Sequence, residues 1–248
     1  MKAIIVGGGV GGLTLALMLH ARGVACEVYE QSSTIREVGV GINTLPHAIA
    51  ELAGLGLLPD LDAAAIRTGA LIYANRFGQT IWREPRGLDA GFPVPQFSIH
   101  RGRLQGIVLR AARARLGEGA IRTGHRLVAF EQDEDGVTAR FADRDGRALG
   151  QARGDVLIGA DGIHSSVRAT FAPGEGPPSW NGMLMWRGAA DWPAFADGRT
   201  MIVAGGLKAK LVIYPIGEGS APGRRLTNWV VGYTTGDGST PRRSARAR

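Results

Sequence analysis

The sequence predicts an α/β fold grown around one dinucleotide-binding β-α-β unit, with an antiparallel, strand-rich second part. Three observations carry this expectation. An apolar, β-branched run from Lys2 to Val6 leads into Gly7-Gly-Gly9-Val10-Gly-Gly12. A helical stretch and a second strand follow, ending on Glu30. From about residue 121 onward, short strand patterns separated by Gly, Asp and Pro dominate.

Lys2 to Val6 reads as a central parallel strand covered on both faces. The glycines fit G-x-G-x-x-G: Gly7 makes the tight turn, Gly9 lets backbone approach a pyrophosphate, and Gly12 lets helix and strand pack closely. The helix is expected from about Gly11 to Arg22, with Leu13, Ala16, Leu17 and His20 at helical spacing and Gly23 as a left-handed stop. Its N-terminus gathers unpaired N–H groups and the positive end of the helix dipole, so a diphosphate can dock there without a cationic side chain. The second strand, Ala25 to Tyr29, delivers Glu30 18 residues past Gly12. An acid there accepts the hydroxyls of an adenosine ribose and disfavours a 2′-phosphate. The opening run is not expected to be a secretory signal, because five glycines within six residues argue against the helix that a signal's apolar core needs. The same glycines, with His20 and Arg22, argue against a membrane span.

Composition narrows the class. At 248 residues the chain suits one large domain or two small ones. Apolar residues make up 44% and no second long apolar run exists, which is a soluble globular composition. The single cysteine, Cys26, excludes an internal disulfide framework and fits a reducing cytoplasm. Five histidines lie scattered without partners at metal-binding spacing, so no metal site is expected. The formal charge of +7 could suggest nucleic acid, but Arg242, Arg243, Arg246 and Arg248 crowd the tail and the charge without them is +3. Aromatic residues do not interleave with the basic ones, so nucleic-acid binding is not expected. Nothing in the sequence fixes an oligomeric state.

After Glu30 a polar stretch enters a second glycine-rich loop, Gly39-Val-Gly41-Ile42-Asn43. A helix is expected from about Pro46 to Ala53 with Gly54 as its stop, then a shorter turn over Gly56 to Leu61. Leu71 to Asn75 and Thr80 to Trp82 read as strands joined at Phe77-Gly78, and Gln96 to His100 as a further strand. Leu104 to Leu116 is a helix with Leu104, Ile107, Val108, Ala111 and Ala112 on one face. Ile121-Arg122, Leu127 to Phe130 and Val137 to Phe141 read as an antiparallel meander with turns at Asp135-Gly136 and Asp145-Gly146. Asp155 to Gly162 reads as a buried strand ending in a loop, with Ser165 and Ser166 as caps of a short helix. Beyond the Pro/Gly patch at Gly174 to Pro178, four antiparallel strands are expected near 183–188, 200–204, 211–214 and 226–233. Trp186 and Trp229 read as sheet core, and His100 and His164 as structural or surface groups. Arg36 stays divided between a solvated loop charge and a functional one.

Three features together resemble the flavin-dependent aromatic hydroxylases, single-component FAD monooxygenases built like para-hydroxybenzoate hydroxylase. They are the nucleotide unit with Glu30, the segment Gly159-Ala160-Asp161-Gly162 through Arg168, and Ser98-Ile-His100-Arg101-Gly-Arg-Leu104-Gln105. The phenazine-pathway hydroxylase branch is especially similar, through Gly39 to Asn43, Glu84-Pro-Arg-Gly87, Ile99 to Gly102 and Met185-Trp-Arg187-Gly. The resemblance covers nearly all of residues 1 to 235. It implies a glutathione-reductase-type FAD-binding Rossmann domain with an interleaved antiparallel β-rich substrate domain. The FAD part would be 1–69 and 101–174, the substrate sheet 70–100 and 175–235, and 236–248 an irregular basic tail.

The implied chemistry is hydroxylation of a small aromatic substrate with NADH or NADPH and O2, through a C4a-hydroperoxide on the flavin. No catalytic general base is named. Gly7, Gly9, Val10 and Gly12 would hold the FAD pyrophosphate and Glu30 the ribose. Gly41, Ile42 and Arg101 would serve the ribityl and flavin side, Gln105 would be a further cofactor-binding residue, and Asp161 would support FAD or the nicotinamide. The family also carries a second flavin motif roughly a hundred residues beyond Asp161-Gly162, whereas this chain ends 86 residues after Gly162. Gly236-Asp237-Gly238 reads as a turn rather than that motif, so the chain is expected to be C-terminally truncated and impaired. Two other readings stay open: a non-catalytic FAD-binding fragment, and an NAD-dependent dehydrogenase with a β-rich substrate domain.

Overall fold

The computed structural model describes residues 1–236. Its strands begin with β1 (Lys2–Val6), β2 (Ala25–Glu30), β3 (Gly41–Thr44), β4 (Ile66–Arg67), β5 (Ala70–Ala74), β6 (Thr80–Pro85), β7 (Phe97–His100) and β8 (Ile121–Thr123). They continue with β9 (Arg126–Asp133), β10 (Gly136–Ala142), β11 (Ala148–Gly154), β12 (Val156–Gly159), β13 (Met183–Pro193), β14 (Thr200–Gly205), β15 (Ala209–Glu218) and β16 (Arg224–Thr234). The helices are α1 (Val10–His20), α2 (Pro46–Gly54), α3 (Leu58–Ala64), α4 (Arg101–Leu116) and α5 (Ser166–Phe171). Among the described residues no helix is long and apolar enough to cross a membrane. The basic tail and the Asp237-Gly238 turn lie outside the described residues.

Contacts divide the chain into two units. The first comprises Met1–Glu37, Leu55–Leu57 and Leu104–Gly176; the second comprises Val38–Gly54, Leu58–Arg103 and the chain from Pro177. The expected boundary differs, because it kept all of 1–69 with the nucleotide part. Hydrogen bonding explains the change: β3 and β4 both pair with β7, and that ladder carries 38–54 and 58–69 into the second unit.

In the first unit a parallel sheet has the order β12-β1-β2-β8. β1 is flanked on both sides, and its Ala3, Ile4 and Ile5 are fully buried, as an uninterrupted apolar run predicts. Leu13, Ala16 and Leu17 of α1 are buried as well. An antiparallel sheet, β11-β10-β9, contributes Val137, Ala139 and Phe141 to one core with Ile4, Val6, Tyr29 and Val167.

Three expectations are corrected here. Ile121–Thr123 does not belong to the meander; it pairs in parallel with β2 and extends the nucleotide sheet. The strand read as buried at Asp155 to Gly162 is an edge strand, and Val156 is 38% exposed, because β1 pairs with it on one side and no described strand does on the other. Helix α4 also begins at Arg101, directly after β7, three residues earlier than expected.

The second unit contains a six-stranded sheet, β13-β16-β15-β14-β5-β6, and a three-stranded sheet, β3-β7-β4. The four late strands do not form a sheet of their own, since β14 pairs in parallel with β5. Phe97–His100, expected in that larger sheet, instead lies between β3 and β4. Gly41–Thr44, read as loop, is the strand that β7 recruits.

At the far end of β13 the Asp191 carboxylate accepts the Ser220 N–H at 2.9 Å and its hydroxyl at 2.7 Å, and pairs with the Arg224 guanidinium. The Ser220 N–H first, then Arg224 and the Ser220 hydroxyl, hold its pKa down at about 2, against an ordinary 3.8. A carboxyl lowered by folding stabilises the native state above its unfolded pKa, and that contribution is lost as pH falls through the folded value. Asp191→Asn should therefore show a shallower loss of thermal stability than the parent between pH 3.8 and about 2. Identical slopes would mean that these bonds add nothing.

Candidate functional site

The three motif glycines meet different surroundings. Gly7 sits at φ +114°, and a Cβ there would lie 2.3 Å from the Ala160 carbonyl oxygen. A Cβ on Gly12 would lie 2.0 Å from the Gly7 carbonyl oxygen. On Gly9 it would meet nothing within 4 Å. The first and third glycines are thus demanded by the fold, and the second faces open space. Gly9 is also the N-cap of α1, with no side-chain cap and no acidic residue in the first turn, so the positive end of this 11-residue helix is left to an outside anion.

Glu30 closes one side of the turn. Its Oε2 accepts the Gly8 N–H at 2.7 Å, and its Oε1 accepts the Ser32 N–H at 2.8 Å. A carboxylate offers about four acceptor positions, so roughly two remain for a diol. The Gln105 amide donates to the Gly8 carbonyl at 3.1 Å, bracing the turn from α4.

Gly7, Gly9, Glu30 and Asp161 line a single cavity of about 350 Å³ in the first unit. Val10 and Gly12 follow in the first turn of α1. Burial tends to raise the Asp161 carboxyl, but the Ser165 and Ser166 hydroxyls and the Ser166 N–H outweigh it and hold it below the ordinary carboxylate range. The cavity is therefore lined by two carboxyl groups whose lone pairs are already partly committed to protein donors.

Sequence reasoning missed four other residues that line the cavity: Gln31, His125, Arg126 and Leu127. The last three follow β8, at the carboxyl ends of the parallel strands, where ligands of open α/β sheets bind. That signal was hidden by reading β8 into the meander. His125 Nδ1 lies 2.8 Å from the Thr123 carbonyl, so that nitrogen bears the proton. Tyr29 stacks on Phe141 with ring centroids 4.0 Å apart. Its phenol is pushed up to about 12 by burial and by Glu27, whose carboxylate accepts its proton at 2.9 Å.

Gly41, Ile42 and Arg101 lie in the second unit. The Gly41 N–H donates to Asn228 Oδ1 at 2.8 Å, and Ile42 pairs with Ile99. The Arg101 N–H donates to the Val40 carbonyl at 2.8 Å, and its exposed guanidinium has no ion-pair partner among the described residues.

Residues 1–244 match the family model described as FAD binding domain. The chain is 44% identical over 231 residues to the phenazine 1,6-dicarboxylic acid hydroxylase PhzS of Lysobacter antibioticus, across 92% of this chain and 57% of that protein. It is 32% identical over 225 residues to the 3-amino-4-hydroxybenzoate 2-monooxygenase of Streptomyces cremeus, across 88% of this chain and 54% of that one. Among solved structures, Klebsiella pneumoniae HpxO complexed with FAD and uric acid superposes with a TM-score of 0.78 at 26% identity, over 97% of this chain and 58% of that one. The chain thus spans a little over half the length of these relatives. With the glycine turn, Glu30 at the end of β2 and a family match over nearly its whole length, this chain belongs to the FAD-dependent aromatic hydroxylase family.

Proposed function

We propose that this chain binds FAD through the first unit's cavity and serves hydroxylation of a small aromatic acid with NADH or NADPH and O2. The observation that carries the reading is the contrast among the glycines. Gly7 and Gly12 are locked by backbone, while Gly9 opens onto the space beside the uncapped N-terminus of α1 and the Glu30 carboxylate.

The turn N–H groups and the helix dipole would hold the diphosphate, and the free lone pairs of Glu30 the ribose hydroxyls. The cavity wall of His125 to Leu127 would cover the adenosine end, while Arg101, Gly41 and Ile42 keep their assignment to the flavin side. When bound, FAD would supply the redox chemistry, carrying two electrons from the nicotinamide to O2, of which one atom would enter the ring and the other leave as water. The remaining task for the protein is placement and exclusion of water. The names of the relatives, a phenazine dicarboxylic acid hydroxylase and an aminohydroxybenzoate monooxygenase, suggest an aromatic acid as the substrate class. The antiparallel β9–β11 sheet stands between β8 and β12, where a nicotinamide dehydrogenase would more often carry a helical crossover, and this favours FAD over the dehydrogenase reading.

Thermal denaturation with and without FAD tests the proposal. A ligand bound only to the native state at a hundred times its Kd adds about 2.7 kcal/mol, so saturating FAD should raise the melting temperature by several degrees. Arg101→Ala should leave the FAD-free melting temperature nearly unchanged and reduce the gain from FAD. A chain that stays colourless in FAD yet is stabilised by NAD would overturn the reading.

A further inference from the structure

His125 is half-buried and lines the cavity of the first unit. A carbonyl can only accept, so the 2.8 Å contact between its Nδ1 and the Thr123 carbonyl fixes the tautomer: Nδ1 carries the proton, and the neutral ring presents Nε2 as a bare acceptor. Nε2 has no hydrogen-bond partner among the described residues, and it keeps contact with solvent. Packing holds the ring in place. It stands edge-on to Tyr29 and Phe141, with centroids 5.8 and 6.1 Å away, and those two rings are stacked on each other. The His125 N–H also donates to the Glu30 carbonyl at 2.9 Å, which ties this residue to the end of β2.

The other acceptors along the cavity have partners. Glu30 takes the Gly8 and Ser32 N–H groups and keeps roughly two positions, enough for a diol. Asp161 takes the Ser165 and Ser166 hydroxyls and the Ser166 N–H. The strand order β12-β1-β2-β8 then sets a sequence of sites along the carboxyl ends of the sheet. Gly7 follows β1, Glu30 ends β2, and His125 lies just past β8. A dinucleotide whose diphosphate rests on the glycine turn and whose ribose meets Glu30 therefore brings its base to His125. There it meets a fixed acceptor, which calls for a donor on the edge of the base. The 6-amino group of adenine is such a donor, whereas a purine with a carbonyl at that position sets two acceptors against each other.

We propose that His125 is a specificity-determining residue for the adenine half of FAD, its Nε2 accepting a hydrogen bond from the 6-amino group. This deepens the FAD reading and rests on it.

The test compares FAD with the analogue in which hydrogen replaces the adenine 6-amino group, in wild-type protein and in His125→Phe, by flavin fluorescence titration. Phenylalanine keeps a ring edge for the Tyr29–Phe141 stack and removes both nitrogens. Wild-type protein should bind the analogue about tenfold more weakly than FAD, equivalent to about 1.4 kcal/mol, and His125→Phe should bind the two alike. A merely structural role for the bond to Thr123 would weaken both ligands together in His125→Phe and leave the wild-type preference in place. Equal affinities in the wild-type chain, or a preference that survives in His125→Phe, overturn the proposal and leave the FAD reading intact. A wild-type chain that binds neither flavin overturns both. Should His125→Phe not fold, the wild-type protein decides. It holds five histidines, so ¹⁵N-histidine labelling gives five Nε2 resonances. One of them should differ between the FAD-saturated and the analogue-saturated protein, and five coincident resonances overturn the proposal.

Discussion

Gly12→Ala should leave the first unit unfolded or close to it. The added Cβ would sit 2.0 Å from the Gly7 carbonyl oxygen, and neither partner can withdraw. Gly7 is held at φ +114° with Ala160 backbone packed 2.3 Å from where its own Cβ would be, so moving the turn away from residue 12 drives it into the backbone just past β12. Gly12 is itself part of α1, whose buried Leu13, Ala16 and Leu17 fix the helix against the sheet. A backbone collision of this kind belongs to the small class of substitutions that cost about 4 kcal/mol or more, against a typical total stability of about 5–15 kcal/mol. Gly9→Ala is the control, since its methyl group meets nothing within 4 Å. It should cost about 1 kcal/mol or less in stability, yet weaken FAD by about tenfold or more by filling the space a diphosphate needs. Circular-dichroism melts of the two variants check this. A Gly12→Ala protein melting within a few degrees of the parent would show that the turn and helix are not interlocked.

Glu30→Ala should weaken FAD by roughly tenfold to a hundredfold, because charge-assisted hydrogen bonds to the ribose typically contribute about 1.5–3 kcal/mol each. The structure adds a second effect. The same carboxylate accepts the Gly8 and Ser32 N–H groups, so its removal also loosens the turn that shapes the diphosphate end. Glu30→Gln cannot restore both, since its NH2 arm would face one of those two donors. We expect both variants to lose affinity, with Gln the milder, and the FAD-free melting temperature of Glu30→Ala to fall slightly. Flavin fluorescence titration reads the affinity directly; an unchanged Kd in Glu30→Ala removes Glu30 from the ribose.

How much was legible follows from how local each element is. β1, the glycine turn, α1, β2 and Glu30 are written in thirty consecutive residues whose spacing is itself the geometry. β8 was misplaced because Ile121–Thr123 is too short to carry a period, and only its non-local pairing with β2 shows that it is parallel. β3 was read as loop for a similar reason: Gly41-Ile-Asn-Thr44 has no alternation of its own and becomes a strand through β7. An apolar run such as Val156 to Gly159 looks the same at the edge of a sheet as in its middle, so its exposure could not be read. Within the site, the signals for Gly7, Gly12 and Glu30 came with a mechanism attached.

The strand order of the first unit also has a consequence for synthesis. β1 meets β2 soon after leaving the ribosome, but its other neighbour is β12, and Val156 pairs with Ala3 153 residues earlier. At about 5–20 residues per second, the stretch from Glu30 to Val156 takes roughly 6–25 s to translate. Throughout that interval one flank of β1, whose Ala3, Ile4 and Ile5 end up fully buried, is unpaired, and the Ala160 backbone that closes over Gly7 has yet to be made. Ribosome pausing before residue 160 prolongs the exposure and the demand on chaperones, whereas a pause once residue 160 has cleared the exit tunnel gives the sheet time to close.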